Sequence, residues 1–218
     1  MPRKKLQRTD LLPYHVTARA NNRDAFLLPL DKLWEIMGKE CLFLSMIYEV
    51  KFHSLVLMPN HFHTILTVPK HDLGVVMNEL LKSVSRIANT ISGRSGHVFG
   101  GPYHWSLIGN SRYYGHAYKY VYRNPVKAKL TTFAEEYPYS TLQGLLGQAH
   151  LPFPIHFTQI GMEATLPKVG TDPYLKWLNT PFLSEAENLI QKALRRKLFD
   201  IIIDRKTIMS IEQFNLLL

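Results

Sequence analysis

Four side chains in two short segments have the types and spacing needed for metal-assisted attack on a phosphate. In MPNHFHTIL, residues 58–66, His61 and His63 stand one residue apart in an alternating apolar run. Along a β-strand, residues i and i+2 share a face with β-carbons roughly 6–7 Å apart, so two imidazoles there can converge on one cation. In YVYRN, residues 120–124, Tyr120 and Asn124 lie four apart, which is one turn along one side of a helix. An amide oxygen is a competent ligand for a hard divalent cation, and a phenol one turn away would sit beside any phosphate that cation held. Each pair alone also fits a plainer role. Two histidines on one pleat can simply line a partly buried sheet face. Asn124 precedes Pro125, which disfavours helical geometry at 124 and suits a cap on a following segment, VKAKL. Tyr113, Tyr114, Tyr118 and Tyr122 crowd around Tyr120, so spacing does not choose among the tyrosines.

The elements that must position these residues follow from periodicity. Residues 13–20, PYHVTARA, alternate like a strand, and NNRD after them is a turn signal. From Asp31 to about Tyr48, Leu33, Trp34, Met37, Cys41, Leu44 and Ile47 recur at helical spacing with Asp31 placed to cap. Residues 49–58 and 61–68 read as an antiparallel hairpin joined by Pro59-Asn60, with Phe62 pointing to the face opposite the histidines. A second helix spans 72–91 with Asp72 near its N-cap; a glycine-rich loop leads to a fourth strand at 103–109, and Ser111 opens the tyrosine-bearing helix. The order β-α-β-β-α-β plus a helix predicts an α+β fold: a ferredoxin-like, split β-α-β antiparallel sheet with two crossover helices on one face and the other face left free for a ligand. Beyond Leu130 prolines at 152, 154 and 167 argue for a loop-rich connection. The predicted division is a catalytic domain over 1–149 and a linker with helical C-terminal extension over 150–218. In that extension Ser184 and Glu187 match a capping box, and Ser210 would start a short last helix.

Charge points to the partner. The chain has 26 Lys and Arg against 17 Asp and Glu, a formal charge of +9, which favours a polyanion. Lys119, Arg123 and Lys127 follow i, i+4, i+8 spacing beside Tyr120 and Asn124. Such a stripe would flank a phosphate backbone, its plain alternative being a solvated cationic face. Lys192, Arg195, Arg196 and Lys197 form a second basic group that could add a DNA contact. The single cysteine, Cys41, excludes an internal disulfide framework and a cysteine-based zinc site, and its apolar neighbours suit a buried thiol. A basic, polar N-terminus and the lack of any run of about 18 apolar residues point to a cytoplasmic protein without membrane contact.

Taken together, MPNHFHTIL resembles the histidine–hydrophobic–histidine motif of HUH endonucleases, and YVYRNPVKAKL resembles the tyrosine-helix signature of single-tyrosine HUH transposases. The run YHVTARANNRDAF in the opening strand and GHVFGGPYHWSLI before the tyrosine helix bring the resemblance closest to the REP-associated tyrosine transposases, over about residues 10–145. The resemblance implies that His61, His63 and Asn124 ligate Mg²⁺ or Mn²⁺ and that Tyr120 is the nucleophile, leaving a 5′-phosphotyrosine and a free 3′-hydroxyl. It implies single-stranded or hairpin DNA as substrate, with Lys119, Arg123, Lys127 and Arg19 as DNA contacts, in a nucleoid-associated bacterial protein that is a monomer or a homodimer. One departure from the family pattern is Gly101-Pro102-Tyr103, where many relatives carry an arginine. Two alternatives stand beside this reading. One is a metal phosphoesterase using the histidines and an acidic ligand, Asp72 or Glu79; the other is a hairpin-binding module that does not cut.

Overall fold

The computed structural model describes residues 7–157 and 166–199. The alternating stretches form β1 (Tyr14–Arg19), β2 (Lys51–Met58), β3 (His61–Thr67) and β4 (His104–Ile108), and the first two periodic ones form α1 (Leu30–Ile47) and α2 (Leu73–Ser92). The strands lie in the order β2-β3-β1-β4 with antiparallel neighbours throughout, the ferredoxin-like arrangement predicted from element order. A two-residue strand, β5 (Leu198–Phe199), extends the sheet parallel to β4.

Local chemistry accounts for most of the boundaries. Helix α1 begins one residue earlier than expected, with Pro29 in the cap position and Asp31 in the first turn, where its charge complements the helix dipole. Asp72 caps α2 as predicted: its Oδ1 accepts the Gly74 N–H at 2.6 Å. The same helix stops at Gly93, whose φ of 65° lies in the left-handed region that a side chain disfavours.

Strand alternation then divides the core. On one sheet face Tyr14, Val16 and Ala18 of β1 with Phe62 and Leu66 of β3 pack against Leu33, Met37, Val76 and Leu80 of α1 and α2. Cys41 is buried in this layer. On the other face Val56, Met58, Ile65 and Ile108 belong to a second apolar cluster.

That second face is not left free, contrary to expectation. Helix α3 (Ser111–Lys127) lies across it, joined by α4 (Thr141–Leu145), α5 (Asp172–Asn179) and α6 (Ser184–Ala193). The tyrosines of α3 explain why. Tyr114, Tyr118 and Tyr122 are fully buried, and two of their hydroxyls find partners in later elements: Tyr118 with the Tyr174 hydroxyl at 3.1 Å and Tyr122 with Thr141 Oγ1 at 2.9 Å. A buried phenol usually pairs its O–H, and these two do so across the layer; the Tyr114 hydroxyl is buried with no partner among the described residues. Residues 172–199 therefore share a core with α3 and an edge of the sheet with β4. Helix α3 starts at Ser111 as expected, capped by Asn110, whose side chain accepts the Tyr113 N–H at 2.9 Å. At α6 the cap differs from expectation. Leu183 precedes α6 with no side-chain cap, so the Ser184–Glu187 box does not form. The segment at Ser210 lies outside the described residues.

Phe62 is fully buried against α1 and α2 and points away from the histidines on either side of it. Phe62→Ala should lower the unfolding free energy by about 3–5 kcal/mol, read as a shift in the urea midpoint at unchanged slope.

Candidate active site

Strand β3 is paired on both edges, with His61 opposite Met58 and Arg19 and His63 opposite Val56 and Thr17. The two imidazoles share the α3 side of the sheet with ring centroids 4.9 Å apart and planes at 83°. Each has its Nδ1 engaged: that of His61 with Asn60 Oδ1 at 2.6 Å, that of His63 with Nε2 of His15 at 2.9 Å. Among the described residues no hydrogen bond engages Nε2 of either ring. Burial first, then the Arg19 charge, pushes His61 down to about 4. Burial, reinforced by His15, His61 and Arg19, holds His63 well below the ordinary histidine value. Both rings are therefore neutral at physiological pH, the state in which a ring nitrogen has a lone pair to give.

Helix α3 brings the second pair. Tyr120 and Asn124 are 6% and 8% exposed, and α3 runs through Pro125 to Lys127 rather than restarting there. Proline at 125 deprives the Val121 carbonyl of its helical N–H. Asn124 offsets this by turning Nδ2 back onto the helix, donating to the Tyr120 carbonyl at 2.8 Å and towards that of Val121 at 3.4 Å. Its Oδ1, the ligating atom of an amide, is not used in these bonds. The Tyr120 ring stands edge-on to His63, centroids 5.8 Å apart at 88°, and edge-on to His15 at 6.4 Å. The folded chain thus gathers Tyr120, His63 and His61 from two distant segments, with Asn124 on the next turn of the tyrosine helix.

The phenol of Tyr120 is pushed above its ordinary value, by burial first and then by Glu187, while a hydrogen bond with Gln191 and the charges of Arg195 and Arg19 pull it down. Arg19 is exposed and makes no ion pair among the described residues. It influences His61, His63 and Tyr120 alike.

The other cations are placed differently from expectation. Lys119 is 2% exposed, its ammonium 5.3 Å from the Trp177 ring centroid and 4.9 Å from that of Phe182. Arg123 donates to the carbonyls of Leu178 and Asn179 at the end of α5, and Lys127 pairs with Glu187 of α6 at 3.3 Å. The stripe is real, but Lys119 and Arg123 are taken up by the C-terminal helices, while Lys127 stays exposed beside Glu187. Lys192, Arg195, Arg196 and Lys197 are exposed.

Two residues at the site escaped sequence reasoning. Alternation along PYHVTARA puts His15 on the face of Thr17 and Arg19, but only the pairing of β1 with β3 brings it to His63. Gln191 carried no signal, because nothing in the sequence placed α6 over α3. The acidic candidates lie elsewhere. Asp72 accepts from Arg8 and Gly74 and Glu79 from Ser83, both on α2 beneath the opposite sheet face. Among the described residues no group of three His, Cys, Asp or Glu could hold a metal.

A solved structure similar to this chain is that of a REP-associated tyrosine transposase bound to a REP hairpin, with TM-score 0.59 and 18% identity over 78% of this chain and 98% of that one. The chain has that transposase's fold. A structure described as a transposase from Deinococcus radiodurans overlaps 54% of this chain and 95% of its own at 17% identity and TM-score 0.38, a level at which no argument rests on it. No family model matches the chain, and no curated protein matches it. Among the described residues no helix is long and apolar enough to cross a membrane.

The buried histidines generate a pH dependence. Burial pushes His15 down to about 3 and His53, His61 and His116 down to about 4, whereas in the unfolded chain a histidine takes up its proton near pH 6.5. Between those values the unfolded state binds more protons, so stability is full above about pH 6.5 and falls as the pH drops towards about 4. Urea midpoints measured across that window should decline steadily with acidification; a flat profile above pH 4 would contradict the buried, neutral assignment.

Proposed function

We propose that the chain cuts and rejoins single-stranded or hairpin DNA through a covalent 5′-phosphotyrosine on Tyr120. The observation that carries this reading is the edge-on placement of Tyr120 against His63, 5.8 Å between ring centroids, on the face where His61 also points. His61 and His63 through Nε2 and Asn124 through Oδ1 are the residues that would hold Mg²⁺ or Mn²⁺. A bound divalent cation supplies Lewis-acid polarisation of a non-bridging phosphate oxygen.

The remaining work falls to the chain's own groups. The Tyr120 phenol gives its proton to solvent, its oxygen attacks phosphorus in line as the bond to the 3′-oxygen breaks, and the 3′-oxygen leaves as a hydroxyl after taking a proton from solvent. Because one phosphodiester is exchanged for another, a 3′-hydroxyl from a second strand can reverse the step and release the tyrosine without ATP. Arg19, exposed across from His61, would hold the scissile phosphate, and its charge favours the phenolate. The phenol must exchange its hydrogen bond with Gln191 for the phosphate before it can react. A net charge of +9 favours a nucleic-acid partner. The REP hairpin in the similar transposase structure supports hairpin DNA as the substrate class.

Labelled hairpin DNA incubated with the protein and Mn²⁺ should yield a protein–DNA adduct that survives denaturation, and Tyr120→Phe should abolish it. Lewis-acid stabilisation of several kcal/mol corresponds to at least about a hundredfold in rate, so His61→Ala and Asn124→Ala should slow adduct formation by that much or more. Cleavage persisting in Tyr120→Phe would indicate a hydrolytic phosphoesterase. Binding by both proteins without any adduct would indicate a module that recognises hairpins without cutting.

A further inference from the structure

His15 has no place in the chemistry described above, yet it is 2% exposed and lies in the middle of the site. Its Nε2 is 2.9 Å from Nδ1 of His63, the rings stack at 5.1 Å with planes only 23° apart, and among the described residues its Nδ1 has no hydrogen-bond partner. At 2.9 Å one nitrogen must donate and the other accept, so a single proton lies between them and two arrangements are open. If His15 donates, Nδ1 of His63 is the acceptor and the proton of His63 sits on Nε2, which then has no lone pair to offer. If His63 donates, its Nε2 lone pair is exposed and His15 carries its own proton on Nδ1.

The neighbouring ring shows which arrangement suits the site. His61 meets the side-chain oxygen of Asn60 at 2.6 Å, and that oxygen can only accept. His61 is thereby fixed with its proton on Nδ1 and its lone pair on Nε2. Ligating histidines generally give their second N–H to an oxygen acceptor that sets tautomer and orientation. Asn60 fills that role for His61; for His63 the atom in that position is the imidazole nitrogen of His15.

We propose that His15 is a positioning residue for His63: its Nε2 accepts the His63 Nδ1–H, locks that tautomer, and so aims the His63 Nε2 lone pair into the same site as that of His61. The proposal rests on the metal-site reading of His61 and His63. Three features of the fold serve it. The antiparallel pairing of β1 and β3 sets His15 diagonally across from His63, its direct partner being Ile65. The Tyr120 ring stands nearly perpendicular to both imidazoles, centroids 6.4 and 5.8 Å away. Complete burial keeps water from competing for either nitrogen.

Long-range proton–nitrogen spectra of the metal-free protein labelled with ¹⁵N-histidine test the tautomer directly, with the His63 signals assigned by their loss in His63→Ala. The expected result is His63 protonated on Nδ1; protonation on Nε2 overturns the proposal whatever the metal does. Calorimetric titration with Mn²⁺ alone supplies the second readout. His15→Phe, which keeps the ring packing but removes the acceptor, should weaken Mn²⁺ binding by about 10–100-fold, and His15→Gln, whose carbonyl oxygen can accept, should recover most of that loss. If His61→Ala abolishes binding while His15→Phe leaves it unchanged, the positioning role is overturned and the metal site stands. If the wild type binds no Mn²⁺, the metal-site reading fails and this proposal falls with it.

Discussion

Strand β3 is paired along both edges and covered on both faces, and that double confinement governs the rest of the site. Side chains alternate along a strand, so a slip of one residue would exchange the two faces completely. Phe62 and Leu66 are locked into the layer under α1 and α2, which compels His61, His63 and Ile65 towards α3. The positions of the imidazoles are thus set by apolar packing on the far side of the sheet, not by any attraction between the histidines. Their protonation state follows from the same burial: removing a ring from water penalises the cation, and both rings stay neutral.

Helix α3 is held on that face by two sets of contacts with different chemistry. Towards the sheet it uses fully buried tyrosines. Towards the C-terminal helices it uses cations. Lys119 lies over Trp177 and Phe182; burial, then the Arg123 charge, lowers it to about 8, which leaves it protonated at neutrality and able to interact with both ring faces. Arg123 meets the carbonyls that end α5, where the helix dipole favours positive charge. Lys127 pairs with Glu187. These contacts fix α5 and α6 against α3 and, as a consequence, carry Gln191 and Glu187 to the phenol of Tyr120. The same i, i+4, i+8 spacing that suggested a DNA-facing stripe is what lets one side of α3 grip a helical layer.

This contrast marks what the sequence could disclose. Alternation in HFHTILT and PYHVTARA, the helical period over residues 73–91 and the Asp72 cap are local signals, and each produced an element in the expected place. Spacing shows that two side chains share a side of a helix; it does not show what that side meets. The destination of Lys119 depends on Trp177 and Phe182, more than fifty positions away, and the covering of the second sheet face depends on where α3 and the helical extension dock, which periodicity does not show. Asn124 is an instructive exception. The residue before a proline tends to leave the helical region, yet α3 continues, because tertiary packing outweighs that tendency and the Asn124 amide partly replaces the hydrogen bond that Pro125 cannot make.

The proposed chemistry sets two opposed electrostatic demands. Metal-ligating imidazoles must remain unprotonated, and an attacking phenol must lose its proton. Burial meets the first demand and works against the second, since it disfavours whichever form is charged: imidazolium for the histidines, phenolate for Tyr120. A positive charge does not share that conflict. It disfavours the imidazolium and stabilises the phenolate, so one cation beside both groups moves each in the required direction. Arg19 has that position. It stands opposite His61 across the β1–β3 pair, lowers His61 and His63, and lowers Tyr120 against the upward pull of burial and Glu187. Unlike Lys119, Arg123 and Lys127, it is not committed to the C-terminal helices. An exposed guanidinium at the end of β1, unpaired among the described residues, can therefore reconcile the proposed ligands with the proposed nucleophile.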